Sequence, residues 1–253
     1  MKELMKTAIA LAAVLVLLLP GMALAEGTPA GTVITNEATA TYDVGGVSGL
    51  SETSDPDTIV VAELLDLSLT WSDGAPIPVA PGDTNKVLTF LLSNTGNGTD
   101  VYSLTHDNSM TGSDDFNPDH ENIYLDENGN GQYDAGIDSL YGSGNKPELA
   151  PDETLYIFVL NNIPTSPMPG DGDTGDSKLI ATSDAASSAA PSLTPGGVLS
   201  GGGENGADAV VGNSGGSAED IGTYLVSNVT VDITKSSQIL NDPVFGTQPV
   251  PGA

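Results

Sequence analysis

Polar and apolar residues alternate along this chain with a period of two, and no helical periodicity occurs beyond residue 25. That pattern constrains the fold more than any other feature. In TVITNEATATYDV, residues 32–44, Ile34, Ala38, Ala40, Tyr42 and Val44 fall on one face, while Thr35, Glu37, Thr39, Thr41 and Asp43 fall on the other. Such alternation predicts a strand with one face buried. LDLSLTW repeats it, with Leu65, Leu67, Leu69 and Trp71 opposing Asp66, Ser68 and Thr70, and VTVDI repeats it with Val229, Val231 and Ile233. Denser apolar runs, VLTFLL at 87–92 and LYIFVL at 155–160, read as central strands covered on both faces. Turn residues separate these runs at short intervals: GG at 45–46, APGD at 80–83, NTGNG at 94–98, APDE at 150–153 and PMPGDGD at 167–173. Short strands between such turns predict an all-β, antiparallel sandwich.

The first 25 residues read as a secretory signal peptide. Lys2 and Lys6 precede an unbroken apolar run from Ala8 to Leu19, and Ala23-Leu24-Ala25 offers a cleavage site before Glu26. The run is too short to span a bilayer, which takes roughly 20 apolar residues, so no membrane span is expected after cleavage. Cysteine is absent, which excludes disulfides and thiolate metal sites. Export without disulfides leans toward a bacterial envelope or the medium outside it. With 34 acidic residues against 6 lysines and no arginine, the formal net charge is −28. Nucleic acid is therefore excluded as a partner, because phosphate neutralisation requires Lys and Arg. A surface of this kind repels itself and gains from bound divalent cations.

An internal repeat organises the rest. LLDLSLTWSDGAPIPVAPGD, residues 64–83, is similar to NVTVDITKSSQILNDPVFGTQPVPGA, residues 228–253: an alternating strand, a polar excursion, then a Pro-Gly turn. ATATYDV followed by DTIVVAELLDLSL is likewise similar to LIATSDA followed by GTYLVSNVTVDI. Residues 26–62 thus read as a β-hairpin region, the tail of a preceding repeat. Residues 63–235 read as one whole repeat, and 236–253 as the start of a truncated following one. Residues 184–218, rich in Ala, Ser and Gly, read as a long flexible loop.

AGTVITNEATATYDVGG, VAPGDTNKVLTFLLSNTGNGTDVYSLT, IYLDENGNGQYDAGIDSLY, LAPDETLYIFVLNNIP and VTVDITKSS together resemble a large bacterial and archaeal surface-protein family of repeated immunoglobulin-like modules, a conserved repeat domain of unknown function. The resemblance covers nearly all of the chain after residue 25 and is weakest across 184–218. It implies an immunoglobulin-like β-sandwich, displayed on a cell surface or secreted, with a structural and adhesive role. Members of the family are long and carry several repeats with an anchoring segment. One whole repeat is read here, so the means of attachment is left open.

LDENGNGQYDAGID, residues 125–138, carries oxygen donors at the spacing a hard divalent cation requires. Counted from Asp126 as position 1, Asn128 is position 3, Asn130 is 5, Gly131 is the bend at 6, Gln132 offers its backbone carbonyl at 7, and Asp134 is 9. This matches an EF-hand-type calcium loop as far as that point. Position 12 is Ile137 rather than Glu, and Asp138 closes the loop one residue later, with slack from Gly136. The candidate calcium ligands are Asp126, Asn128, Asn130, Gln132, Asp134 and Asp138, and loss of the long bidentate Glu weakens binding toward the ~10⁻⁴ to 10⁻³ M of extracellular modules. Upstream, Asp114 and Asp115 are candidates for added ligands. The competing reading is an Asn-Gly turn in an acidic chain.

Catalysis finds no support. His106 and His120, the two histidines, lie in no hydrolase or metalloprotease motif, and His120 reads as a solvated loop residue. Carboxylate pairs are too common among 34 acids to single any out. Trp71 and Tyr42 read as core or strand-edge aromatics. The sequence therefore describes a non-catalytic structural or adhesion module, calcium-stabilised, whose partner is a surface protein or glycan. The alternatives are a carbohydrate-binding module and a self-assembling surface-layer or filament subunit in which half repeats pair between chains.

Overall fold

The computed structural model describes residues 27–109, 112, 114–187, 194–227 and 235. The expected signal peptide, the alternating VTVDI segment and the start of a following repeat lie outside these residues. The chain is an all-β, immunoglobulin-like antiparallel sandwich, and among the described residues no helix is long and apolar enough to cross a membrane.

Four strands come before the sandwich. β1 (Val33–Asn36) pairs with β4 (Asp57–Val60), and β2 (Thr39–Val44) with β3 (Val47–Thr53), so that residues 33–60 form a two-stranded ribbon. β5 (Glu63–Leu65), β6 (Leu67–Trp71), β7 (Ile77–Val79), β8 (Lys86–Asn94), β9 (Asp100–Asp107), β10 (Asp119–Leu125), β11 (Ser139–Leu140), β12 (Glu148–Leu149), β13 (Thr154–Asn162) and β14 (Thr174–Ser183) follow. A single helical turn, Asp184–Ser187, closes β14, and β15 (Val198–Leu199), β16 (Ala209–Val211) and β17 (Ser217–Val226) complete the order.

One sheet runs β11-β10-β13-β8-β6 and the other β12-β9-β14-β17-β7, with all pairs antiparallel except β7 and β17. Alternation dictates the core: Leu88, Phe90 and Leu92 of β8 and Ile157 and Val159 of β13 meet Tyr102 and Leu104 of β9, Leu179 and Ala181 of β14, and Tyr224 and Val226 of β17. Each fully buried Leu, Ile or Phe contributes about 1.5–3 kcal/mol. A polar network sits within this core. Asn161 donates to the Tyr224 hydroxyl, which donates to the Lys86 carbonyl; Asn108 donates to Asn161, and the Ser177 hydroxyl donates to Asn108. Buried amides hold their register only when paired in this way, so the network fixes how the sheets face one another.

Three expectations are corrected. The segment 32–44 divides at Glu37 into β1 and β2, and every residue from 33 to 60 is exposed, so neither face of the ribbon is buried. β13 is covered on both faces over Ile157–Asn161, whereas β8 alternates buried with half-buried residues. Within the expected loop 184–218, β16 pairs with β15 and runs parallel to β5, and Ala209 packs on Leu65 and Ala186 as a small second core. Three acids pin this segment: the Glu204 N–H donates to Glu63, the Ser214 N–H to Asp66 and the Gly201 N–H to Asp208.

Candidate metal centre

Residues 126–138 connect β10 to β11 at an edge of the first sheet. The two acids at the roots of the loop, Asp126 and Asp138, are buried (6% exposed each) and organise the backbone. Asp126 accepts the Gly129 N–H on Oδ1 and the Gly131 N–H on Oδ2, both at 2.8 Å. Asp138 accepts the Glu127 N–H on Oδ1 at 3.3 Å and the Asp134 N–H on Oδ2 at 2.6 Å. Gly129, Gly131 and Gly136 all adopt positive φ, which lets the chain wind this tightly. At Gly131 a Cβ would stand 3.2 Å from the Tyr156 ring, so glycine is required there for space as well as for conformation.

The outer side chains converge. Asn128 and Asn130 both donate to Asp134 Oδ2, at 2.9 and 2.7 Å, and these amides hold the Asp134 carboxyl below its ordinary range. Their own carbonyl oxygens accept the Asn130 and Gln132 N–H groups in local turns. The Gln132 side chain is exposed. The expected ligand residues therefore lie in one compact loop, with Asp126 and Asp138 at its base and Asn128, Asn130 and Asp134 gathered at a single oxygen.

The donor set fits a hard cation in kind. All its donors are oxygen, and a carboxylate oxygen that accepts one N–H keeps a second lone pair. Lys86 and Lys146 are consecutive cations in the sequence, so the loop acids have no lysine or arginine near them in the chain. Among the described residues no three His, Asp or Glu side chains form a ready-made cluster, so amide and carbonyl oxygens would have to complete the coordination.

The loop is not purely polar. Tyr133 folds back onto the outer face of the sheet, its ring 4.9 Å from Tyr124 and 5.9 Å from Phe158, which is fully buried. The loop is thus a cover for one sheet face as well as a turn. Asp114 and Asp115 do not join it. They accept N–H groups from Asp176 and Thr174 on the second sheet, near the opposite end of the sandwich.

Two further constellations escaped sequence reasoning. His120 lies in β10 and stacks on His106 of β9 with ring centroids 3.4 Å apart, rather than standing in a solvated loop. Burial pushes both imidazoles down, and the neighbouring His106 pushes His120 down further. Glu63 and Asp100 are buried where the β5 edge meets the start of β9, and burial raises both carboxyls. Among the described residues, Asp100 Oδ2 and the Tyr102 hydroxyl beside them have no hydrogen-bond partner. Neither pair has a signal in the sequence, because each forms only when distant segments are brought together.

No protein-family model matches the chain, and no curated protein is significantly similar to it.

Proposed function

We propose that the chain is a secreted or cell-surface structural and adhesion module, non-catalytic, that binds calcium in the 126–138 loop and is stiffened by it. One observation carries this reading: Asp126 and Asp138, buried at the roots of one loop, hold a glycine-bent backbone around three converging polar side chains, Asn128, Asn130 and Asp134. A polar turn without a cation has no need to bury two like charges, since a buried carboxylate is costly unless hydrogen bonds and opposite charge offset it. Calcium supplies the charge, and Asp126, Asn128, Asn130, the Gln132 carbonyl, Asp134 and Asp138 are the residues that would hold it. Bound there, the ion clamps the loop over Tyr124 and Phe158 and so protects the sheet edge in an extracellular medium, where calcium is plentiful. The resemblance to repeated surface modules points to the same setting.

Isothermal titration with CaCl₂ of protein first stripped with EDTA tests the assignment. One site with a dissociation constant in the ~10⁻⁴ to 10⁻³ M range supports it. Absence of heat and of any melting shift at millimolar calcium removes calcium from the account.

A further inference from the structure

Eight of the fourteen large hydrophobic residues exposed among the described residues lie in the ribbon of β1–β4. Cross-strand pairs put them side by side: Val33 with Val60, Ile34 with Ile59, and Tyr42 with Leu50. A two-stranded ribbon is marginal in water without a third strand or a packed face, and among the described residues this one has neither, with both outer edges open. Ile34 and Ile59 lie on one face of β1–β4 and Val33 and Val60 on the other, and among the described residues nothing covers either face.

The fold indicates what covers it. The ribbon joins the sandwich where Asn97 accepts the Ala30 N–H and donates to Thr28 and Ala62, beside the Asn94 end of β8. β17 finishes at Val226, and the N–H of the next residue, Ser227, donates to Val79, beside the Lys86 end of β8. Chain entry and exit are thus separated by the length of β8, roughly 30 Å at about 3.3 Å per residue.

The sequences on either side of the sandwich resemble two segments that meet within it. DTIVVA at 57–62 is similar to GTYLVS at 222–227, the end of β17, and residues 228–253 are similar to 64–83, which contain β6 and β7. Within the sandwich these two halves meet directly: β7 pairs parallel to β17, Ile77 with Tyr224 and Val79 with Val226, and the Trp71 N–H of β6 donates to Asp220 of β17.

From these observations we infer that residues 228–253 of one copy dock on the ribbon of the next copy, head to tail, with Gln248–Val250 alongside Ile59–Val61 as β7 lies alongside β17. Chain direction selects a second copy over the same chain. β4 runs toward the sandwich, and β5 and β6 continue that course to the far end where β17 also finishes. A copy stacked beyond the ribbon delivers its 228–253 segment already running parallel to β4. The chain's own segment leaves at the wrong end and would have to climb past the sandwich and reverse. A groove of about 440 Å³ between Gly31, Val60 and the turn at Glu204–Asp208 lies at the Val60 end of β4, where the incoming strand would enter. Such a contact is heterologous and does not close on itself, so it propagates into open assemblies.

Sedimentation analysis of residues 26–253 over a concentration series provides the test, with two variants: Ile59→Lys combined with Val60→Lys, and a chain ending at Ser227. Mass that grows with concentration in the unaltered chain and is lost in each variant alone is expected. Mixing the two variants should restore a one-to-one complex and nothing larger, because each keeps one intact half. The ribbon lies outside the core, so Trp71 emission, and the melting midpoint at concentrations where both are monomers, should match in the unaltered chain and the lysine variant. A monomer at every concentration overturns the inference. Association that survives in either variant, or a mixture that stays monomeric, overturns it as well.

Discussion

Replacing Asp126 by alanine separates the structural role of the loop carboxylate from its proposed role as a ligand. The side chain is buried and accepts two backbone N–H groups, from Gly129 and Gly131. Gly129 is exposed, so its N–H recovers a water, whereas Gly131 is half-buried against Tyr156 and loses its acceptor outright. One buried donor left unpaired costs about 1–3 kcal/mol. For a domain of this size about 1 kcal/mol moves the midpoint by roughly 2–4 °C, so Asp126→Ala in EDTA should melt about 4–8 °C below the parent at the middle of that range. Calcium at one to ten times its dissociation constant adds about 0.4–1.4 kcal/mol to the parent, from RT ln(1 + [L]/Kd), or roughly 1–6 °C. The variant should gain none of it. Scanning calorimetry of both proteins in EDTA and in excess calcium gives the four midpoints required. Equal calcium shifts in parent and variant would refute the reasoning, since the ion would then be acting elsewhere on a chain of net charge −28. A calcium shift in neither would reduce the loop to a hydrogen-bonded turn.

Three further outcomes follow from the same geometry. Tyr133→Ala removes two aromatic contacts, with Tyr124 and Phe158, at about 0.5–1.5 kcal/mol each; urea titration should show a loss of about 1–3 kcal/mol, while Gln132→Ala at the neighbouring exposed position stays within about 0.5 kcal/mol. Burial raises the Glu63 carboxyl in the folded chain, so its contribution is complete below the unfolded value of 4.5 and declines as pH rises through the folded one; Glu63→Gln should increase stability near neutral pH and flatten that decline, and an unchanged urea midpoint at about pH 7 would count against it. The stacked imidazoles behave in the opposite sense: both are depressed from 6.5, so the stability they allow is present above that value and falls as acid protonates the unfolded chain first. His106→Phe should keep the stack and shrink the drop between about pH 7 and about pH 5, as read from urea midpoints at the two pH values.

Strand positions were legible because their signal is local. Side chains of a strand alternate whether or not a partner has been found, so β6, β8 and β13 stand where the apolar spacing places them. The loop was legible for the same reason: Asp126, Asn128, Asn130 and Asp134 fall within nine residues, and their contacts are mostly with one another. Tyr133 was not, because the value of an aromatic ring in a turn depends on the sheet it folds onto. Glu63, Asp100 and the histidine pair are assembled from segments that no spacing rule connects. Residues 194–214 misled through composition: Gly and Ser favour a loop, yet Glu63 and Asp66 supply the acceptors that hold their backbone in place.

The ribbon is the instructive case. Ile34, Tyr42, Ile59 and their neighbours carry the periodicity of a half-buried strand, but among the described residues nothing covers them. Periodicity records which face is apolar, not which molecule covers it. Ile34 and Ile59 lie on one face of the ribbon, and Val33 and Val60 on the other beside Thr35 and Thr58, whereas exposed two-stranded ribbons are stabilised as well by mixed polar pairs and are penalised for apolar edges that invite pairing. Apolar pairs on both faces of a ribbon that no described residue covers are what the proposed docking of a second copy would bury, and the similarity of residues 228–253 to the strands that meet β17 within the sandwich is what points to that segment as the occupant.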